Sequence, residues 1–449
     1  MQFEKTKEYV ENLRNAIHAN DVKWLEENVI GLHYADIADI LESLDIDDAK
    51  YVYFHLNEDM QAGVLMEFEE HTRDRFLSQL TPEEIAQQLD NLDSDDAVDI
   101  LNDFESHEIQ EVISHMKDEE AAGDIVDLLN YDEDSAGGLM QKEYIQARID
   151  WPVDRCLVEL RRQAKDVEKV YTIYVVDLQN KLVGILSLKS LLFAKPKTKI
   201  SELYKSTNII SAKTTDEATA VAASMQKYNL VAIPVVDFQN KLVGRITIDD
   251  VVDIIKEEAD KDYQMASGLS ENVEFHSSIW KTSRARLLWL FIGMFGGTIS
   301  AHVISDFEVN IGKVPALAFF IPLITAMGGN VGVQSSAIVV QSLAKGVDFS
   351  NFWKNLGKEA LVGLLNGVVC STIILGIATV LSDFQLGITV SMSLLIVILF
   401  AATAGSLIPL IMNRFNIDPA LATGPFVTTL NDIIGLFIYF TVGTVLVGI

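Results

Sequence analysis

The chain has 449 residues and a formal net charge of −29, yet 49% of its residues are hydrophobic. So large an excess of acid argues against nucleic acid as a partner, because phosphates would be repelled, and it favours cations. The charge is unevenly placed, with −27 before Leu287 and −2 from Leu287 onward. A solvated soluble surface would explain the acids of the first part. The long uncharged runs of the second part predict a membrane region.

The rare residue types exclude several classes of protein. The two cysteines, Cys156 and Cys370, fall in different halves, so neither a disulfide framework nor a cysteine metal site is possible. Residues 1–14 are charged and lack the apolar segment of a signal peptide, so the acidic half is expected to stay in the cytoplasm. The eight histidines are scattered, and no nucleophile and base pair or Gly-rich phosphate loop occurs. We therefore expect that the protein is not an enzyme.

Residues 1–135 are predicted to form an acidic, all-helical domain, because apolar residues recur at helical spacing. Segments 37–49 and 85–97 resemble each other at an offset of 48 residues, and each ends in Asp-Asp-Ala. This repeat predicts stacked helix pairs in a small solenoid.

Two local signals mark helix starts in this region. Thr81-Pro-Glu-Glu84 predicts a helix with Thr81 as N-cap and Glu84 closing a capping box. Asp95 and Asp96 are explained equally well as caps of the following helix or as metal ligands.

Residues 136–256 contain a second repeat, at an offset of 60 residues. Tyr174-Val-Val-Asp-Leu-Gln-Asn-Lys-Leu-Val-Gly-Ile185 returns as Pro234-Val-Val-Asp-Phe-Gln-Asn-Lys-Leu-Val-Gly-Arg245. Two apolar strands around a polar turn predict a hairpin, and each hairpin runs into a helix, at 188–192 and 248–252. The arrangement resembles a pair of CBS modules, which commonly bind an adenine nucleotide.

The resemblance leaves open whether ATP is a ligand. At the start of the helix after the second strand, CBS modules often have an aspartate that holds a ribose. The first copy has Ser190 there and the second has Asp250.

The helix after the second copy is predicted to continue through residues 249–262, and we assign 257–275 to an acidic linker helix. Asp250, Asp253 and Glu257 are three and four residues apart, so their carboxylates share one helix face and repel each other. A counter-ion would relieve that repulsion. An exposed helix with its charges in water explains the same spacing.

Residues 276–449 are predicted to form a transmembrane domain of five helices, because five uncharged runs are each long enough to cross a bilayer core. The runs are 287–304, 314–344, 360–382, 384–412 and 419–449, the last interrupted by Asp432. The first is the shortest, and residues 280–286 before it would lie partly in the interface.

The basic residues near these runs set the orientation. Those on the same side as the N-terminal half are Lys281, Arg284, Arg286, Lys345, Lys354, Lys358 and Arg414. The opposite side has Lys313. The positive-inside rule places the N-terminal half in the cytoplasm and, after five spans, the C-terminus outside.

The second and fifth runs contain glycine and proline. A continuous helix is not favoured by the sequence Gly328-Gly-Asn330-Val-Gly-Val-Gln, so we expect the backbone there to open toward a cavity. Tight helix packing is the alternative use of these glycines. The fifth run has a similar interruption at Gly424-Pro425, and the two interrupted spans are expected to face each other.

Asp432 is the first candidate for an ion site, because it is the one charge in an otherwise uncharged run. An ionised side chain in a spanning helix costs about 2.5–3.5 kcal/mol on insertion scales, so such residues usually face a water-filled path or a partner. A position near a helix end, from which the carboxylate reaches water, is the alternative.

The domain order, the Met327-Gly-Gly-Asn-Val-Gly-Val-Gln334 run and the Asp418-Pro-Ala…Thr428-Thr-Leu-Asn-Asp432 segment together resemble the MgtE family of magnesium channels. The resemblance covers essentially the whole chain. It implies a homodimer in the bilayer of the cytoplasmic membrane, with a pore on the two-fold axis lined by the second and fifth spans.

The resemblance also implies roles for particular residues. Asp432 matches the family's pore carboxylate, and backbone carbonyls near Gly328 and Asn330 with the hydroxyls of Thr428 and Thr429 would complete the outer shell of a hydrated Mg²⁺. The cytoplasmic acids would sense Mg²⁺, repelling one another when it is scarce and closing the pore when it is bound. The positions similar to the family's sensing acids are Asp95, Asp99, Asp250, Asp253, Glu258 and Asp262, with Asp418 on the membrane side.

Two residues depart from the family pattern, and two rival functions remain as alternatives. Asn229 and Lys261 stand where the family often has acids, which implies fewer or weaker sensor ions. One rival is a less selective divalent-cation carrier that uses the same Asp432. The other is a membrane-anchored nucleotide sensor in which the CBS pair does the work.

Overall fold

The computed structural model describes residues 3–165, 167, 169–271, 273, 277–344, 352–422 and 424–447. Lys345, used above to assign orientation, lies outside the described residues, as do residues 275 and 276 at the predicted start of the transmembrane domain. The chain divides into two compact units, Met1–Lys256 and Glu257–Ile449. Each is described by itself.

The first unit begins with helices throughout, which confirms the all-helical prediction. They are α1 Lys7–His18, α2 Val22–Asn28, α3 Tyr34–Glu42, α4 Ile46–Tyr53, α5 Glu58–Glu67, α6 Glu70–Leu77, α7 Pro82–Leu89, α8 Ser94–Asn102, α9 Ser106–His115 and α10 Glu119–Leu128. The two similar sequence segments become α3 with α4 and α7 with α8, so the 48-residue repeat is a repeat of helix pairs.

The helix-start signals are confirmed at one position and corrected at the other. Thr81 Oγ1 accepts from the Glu84 amide at 3.2 Å and Glu84 Oε2 accepts from the Thr81 amide at 2.8 Å, which is the predicted capping box. The N-cap of α8 is Asp93, with Asp95 and Asp96 in the first helical turn. The capping explanation of those two acids is therefore wrong, because capping falls to the residue whose backbone is still extended.

The two copies of the 60-residue repeat form two equivalent small sheets, as the CBS resemblance implies. The strands are β1 Ile145–Arg148, β2 Ile173–Val176 and β3 Leu182–Leu186 in the first copy, and β4 Ala212–Lys213, β5 Ala232–Val236 and β6 Leu242–Thr247 in the second. In each sheet the first pair of strands is parallel and the second pair is the predicted antiparallel hairpin. The helices are α11 Val153–Gln163, α12 Leu188–Phe193, α13 Ala218–Tyr228 and α14 Ile248–Ala266.

The hydrophobic core of the N-terminal helices continues into the second copy. One cluster of buried side chains contains Ile100 and Leu101 of α8 together with Ile246 of β6 and Val251 of α14. The first copy has a separate core around Ile173. Packing thus ties α8 directly to the strand and helix that end the repeat.

Among the described residues of the second unit, five helices are long and apolar enough to cross a membrane, which confirms the predicted number of spans. They are α15 Ile279–Asp306, α17 Ile321–Ala344, α18 Phe352–Leu381, α19 Phe384–Arg414 and α20 Pro425–Val447. A short helix, α16 Glu308–Lys313, and two 3₁₀ turns, Pro315–Phe320 and Pro419–Ala422, lie between them. The first span begins well before Leu287 and includes the basic residues predicted to precede it.

The prediction of an opened second span is wrong. Helix α17 runs through Gly328 and Gly329 without interruption. The glycines serve close packing instead: a Cβ on Gly332 would overlap the side-chain nitrogen of Asn431 in α20, and a Cβ on Gly328 would lie 3.2 Å from Val397 of α19. The interruption at Gly424-Pro425 is the start of α20, where Gly424 has a φ of 57°. Helices α17 and α20 face each other as expected.

Candidate cation sites

Carboxylates from distant parts of the sequence meet at the start of α8 and the start of α14. Asp95, Asp96 and Asp99 lie on the first two turns of α8, and they interact electrostatically with Asp250 on α14. Asp95 is only 6% exposed. The predicted sensor residues Asp95, Asp99 and Asp250 therefore form one cluster, which we call the α8–α14 acid cluster and to which Asp96 also belongs.

Burial dominates the electrostatics of this cluster. It raises the pKa of Asp95 well above the ordinary value, and the nearby Asp250 and Asp96 raise it further. Burial, together with Asp93 and Asp250, raises the pKa of Asp96 to about 7. Several carboxylates in one partly dry place favour either a proton or a cation.

The pKa of Asp99 responds to charges of both signs. Burial raises it to about 6, helped by Asp250, while the cation of Arg73 opposes the rise. Burial also raises the pKa of Asp250. The raised pKa values mean that the cluster holds protons more readily than isolated carboxylates do, and a divalent cation would displace those protons.

Hydrogen bonds orient two members of the cluster. Asp250 Oδ2 accepts from the amide and the hydroxyl of Thr247, at 3.1 and 2.9 Å. Asp95 Oδ1 accepts from the Asp96 amide at 3.0 Å, and Asp95 Oδ2 accepts from Gln141 at 2.9 Å. Asp253 lies one turn further along α14 and adds to the charge around Asp250.

Across the described parts of the chain, no three His, Cys, Asp or Glu side chains are arranged to hold a metal ion directly. Mg²⁺ gives up its water reluctantly, so carboxylates can bind it through first-shell waters without closing around the metal.

A smaller set of predicted residues lies in the second unit. Burial raises the pKa of Asp262, and the neighbouring carboxylates of Glu258 and Asp418 raise it further, while Lys261 lowers it. Lys261 Nζ lies 3.8 Å from Glu258 Oε2. The lysine that replaces a family acid therefore supplies part of the counter-charge to this set.

Asn229, the other departure from the family pattern, has a backbone role. It caps the end of α13 in the left-handed region, with a φ of 51°. Asparagine tolerates this conformation better than most residues because its short side chain can bond locally.

In the membrane unit, Asp432 is brought beside the glycines of α17. A Cβ on Gly329 would lie 3.8 Å from Asp432 Oδ1 and 3.0 Å from the methyl of Thr428. Thr428 and Asp432 are four residues apart on α20 and so share a face. Gly328 is buried next to this contact, whereas the Asn330 side chain is exposed on the surface of the single chain.

The two threonines predicted to support the ion differ in direction. The Thr428 hydroxyl donates to the Gly424 carbonyl at 3.0 Å, which leaves its oxygen free to accept from a water. Thr429 instead packs its methyl group against Gly296 of α15. The structure therefore brings Thr428 to the Asp432 face and does not bring Thr429 there.

Sequence reasoning missed several polar residues around both sites. Glu143 accepts from the amide and hydroxyl of Ser94 beside the α8–α14 acid cluster. Asn431 precedes Asp432 and is only 1% exposed. Arg245, buried in β6, was visible as the residue in the second copy where the first copy has Ile185.

Family models match three parts of the chain. One described as "Divalent cation transporter" matches residues 321–442, one described as "MgtE intracellular N domain" matches residues 32–134, and the CBS domain model matches residues 136–197 and 200–257. The candidate sites fall within these ranges, except for Glu258 and Asp262 just beyond the last of them.

Relatives extend the similarity across most of the chain. "Magnesium transporter MgtE" of Enterococcus faecalis is 36% identical over 72% of this chain and 71% of its own length. The protein of the same name from Bacillus subtilis is 35% identical over 71% of this chain and 70% of its own length.

A solved structure resembles more than half of the chain. The cytosolic domain of the Mg²⁺ channel MgtE in complex with ATP is 30% identical, with a TM-score of 0.51, and the match covers 55% of this chain and 99% of that one. With this fold, these family models and these relatives, the chain belongs to the MgtE family of magnesium transporters.

Proposed function

We propose that this protein is a Mg²⁺-selective channel of the cytoplasmic membrane, closed by intracellular Mg²⁺ bound at its acidic cytoplasmic region. The observation that carries the proposal is the α8–α14 acid cluster, in which α8 and α14 contribute carboxylates that burial makes costly to ionise. Helix α14 is the element that continues into the linker, so a cation bound at its start acts on the segment leading to the membrane unit.

The pore site is proposed at Asp432. A hydrated Mg²⁺ would meet its carboxylate and the Thr428 oxygen, on the face of α20 that packs beside Gly329. In a homodimer each subunit contributes one such carboxylate, and two of them near one axis would favour a divalent ion over a monovalent one. Outer-shell contacts suit Mg²⁺ because it retains its waters. Backbone carbonyls near Gly328 and Asn330 lie within the unbroken α17, and each would use its second lone pair to accept from the same waters.

Gating is proposed to follow from charge repulsion. At low Mg²⁺ the ionised acids repel one another, and at high Mg²⁺ bound ions remove the repulsion and favour the closed state. Shifting such an equilibrium from mostly open to mostly closed takes about 5.5 kcal/mol of differential binding, which several weak sites provide together. Asp253, Glu258, Asp262 and Asp418 would contribute further ions.

The nucleotide and the orientation are part of the same proposal. A relative's cytosolic domain has been solved with ATP, which supports ATP as a ligand of the CBS pair here. The excess of lysine and arginine on one side of the spans supports a cytoplasmic N-terminal half and an external C-terminus.

Current recordings on inside-out patches, with Mg²⁺ as charge carrier and the bath facing the cytoplasmic domains, test the proposal. We expect Mg²⁺ current that disappears at millimolar bath Mg²⁺, and a weaker loss after Asp250 and Asp253 are both changed to asparagine. Equal currents with Ca²⁺ or Ni²⁺, or flux that depends on a sodium or proton gradient, would favour the less selective carrier. Absence of any current, with ATP binding retained, would favour the membrane-anchored nucleotide sensor.

A further inference from the structure

A chain of buried polar side chains joins the α8–α14 acid cluster to the CBS pair. Gln141 Nε2 donates to Asp95 Oδ2 at 2.9 Å, and Arg245 Nε donates to Gln141 Oε1 at 2.6 Å. All three side chains are buried, with exposures between 3% and 6%. A carboxylate of the helical domain is thus linked through one amide to an arginine of the second CBS copy.

The orientation of the Gln141 amide is fixed by its neighbours. Arginine can only donate, so the carboxamide oxygen must face Arg245 and the nitrogen must face Asp95. The backbones of Gln141 and Arg245 are also bonded to each other in both directions, at 2.8 and 3.0 Å. Gln141 therefore holds Asp95 Oδ2 in one place and leaves Asp95 little freedom to turn.

Arg245 extends the chain to the first CBS copy. Its Nη1 donates to the Lys169 carbonyl at 3.1 Å, and its guanidinium lies 5.9 Å from the centre of the Tyr171 ring. Both residues precede β2. The position of Asp95 is thereby coupled to both copies of the repeat.

The 60-residue repeat shows that the scaffold does not require this polar pair. In the first copy Ile185 makes the equivalent two-way backbone bridge with Lys205, at 3.1 and 2.9 Å, next to Gly184 as Arg245 is next to Gly244. The same bridge is therefore built without a buried arginine. Burying a guanidinium is costly unless it is fully bonded, so its use in one copy alone indicates a role beyond folding.

We propose that Gln141 and Arg245 are positioning residues for cation sensing, which hold Asp95 toward the α8–α14 acid cluster and set the Mg²⁺ concentration that closes the channel. This inference rests on the proposed function, because it assigns the pair to that gating site. Neither residue lies in the spans, so conduction through an open channel is independent of both.

The test measures the bath Mg²⁺ concentration that halves the current of the full-length protein in inside-out patches. We expect Arg245→Met and Gln141→Leu each to raise it at least threefold, with the current at low Mg²⁺ unchanged. The double variant should raise it no more than the larger single change, because the two residues act as one unit. Ile185→Met, the same side chain at the equivalent position of the first copy, is the matched control and should have no effect.

Three further outcomes decide the inference. If Asp95→Asn raises the half-inhibiting concentration while Arg245→Met and Gln141→Leu do not, the inference is overturned and the gating proposal stands. If the current of the unmodified protein does not depend on bath Mg²⁺, the inference and the gating proposal are both overturned. If Arg245→Met reduces the current at low Mg²⁺, Arg245→Lys is the deciding variant, because it keeps the charge and loses the planar guanidinium. A raised half-inhibiting Mg²⁺ concentration in Arg245→Lys supports the inference, and an unchanged one overturns it.

Discussion

The α8–α14 acid cluster and the Asp432 site use carboxylates under opposite constraints. The cluster gathers several acids in a partly dry place, where burial and their mutual repulsion raise their pKa values. Asp432 stands alone in an apolar helix, and the contacts around it are made by small residues such as Gly329. Many coupled charges would suit the proposed graded sensor, whereas a lone carboxylate would suit the proposed pore site, which an ion must also leave.

The largest effect in this comparison is expected at Asp432. Asp432→Ala should abolish Mg²⁺ uptake into liposomes, because it removes the one carboxylate within α20. Asp383→Asn is the matched control: Asp383 also lies in the membrane unit, but it caps α19 by accepting from the Leu386 amide at 2.8 Å. Undiminished uptake by the alanine variant would remove the proposed pore site.

The second effect concerns the packing that places Asp432. Gly332→Ala should lower the melting temperature and the uptake rate, since the new Cβ would overlap the Asn431 side chain and overpacking typically costs about 1–3 kcal/mol. Gly376→Ala in α18 is the control, because a Cβ there meets no atom within 4 Å. Thermal unfolding in detergent measures the melting temperature of each variant, and uptake into liposomes measures its transport rate. Equal behaviour of the two variants would show that α17 and α20 do not depend on this close approach.

Much of the fold could be predicted because its signals are local. Helical spacing predicts the N-terminal region, Thr81 and Glu84 predict a helix start, and the duplicated hairpin predicts both small sheets. The unbroken α17 could not be predicted in this way. Glycine lowers intrinsic helix propensity, but here the neighbouring helices α19 and α20 supply packing that only glycine permits, and tertiary contacts override the local preference.

The candidate sites differ in the same way, because one has a local sequence signal and the other depends on tertiary contacts. Asp432 could be selected from sequence because a charge in an apolar run is conspicuous by itself. The α8–α14 acid cluster could be proposed only through the family resemblance, since Asp95 and Asp250 are 155 positions apart and no local pattern brings them together. Gln141 was missed for the same reason, because its role exists only once Asp95 and Arg245 flank it.

A smaller effect is expected when an acid of the α8–α14 acid cluster is compared with the equivalent acid of the earlier helix pair. Asp95→Asn should raise the Mg²⁺ concentration that halves the current several-fold, because it removes a buried carboxyl group that would bind the cation in place of its proton. Asp47→Asn changes the equivalent acid 48 residues earlier, which is exposed, and should leave that concentration unchanged. Inside-out patch recordings compare the two. A similar shift in both variants would mean that general surface charge, and not the cluster, sets the response.

The smallest effect expected is a pH dependence of folding stability without Mg²⁺. The folded state raises the pKa of Asp96 to about 7 and that of Asp99 to about 6, from ordinary values of about 4 in an unfolded chain. The folded state therefore binds more protons, and the stability present below about pH 4 is lost as pH rises through about 7. Melting of the detergent-solubilised protein should fall by several degrees between pH 5 and pH 8, since about 1 kcal/mol corresponds to about 2–4 °C for a unit of this size. Mg²⁺ added at pH 8 should restore the loss, and Asp96→Asn should flatten the pH dependence. A melting temperature that instead rises with pH would show that these carboxylates are stabilised by their surroundings, and the proposed sensor would then lack the repulsion that it needs.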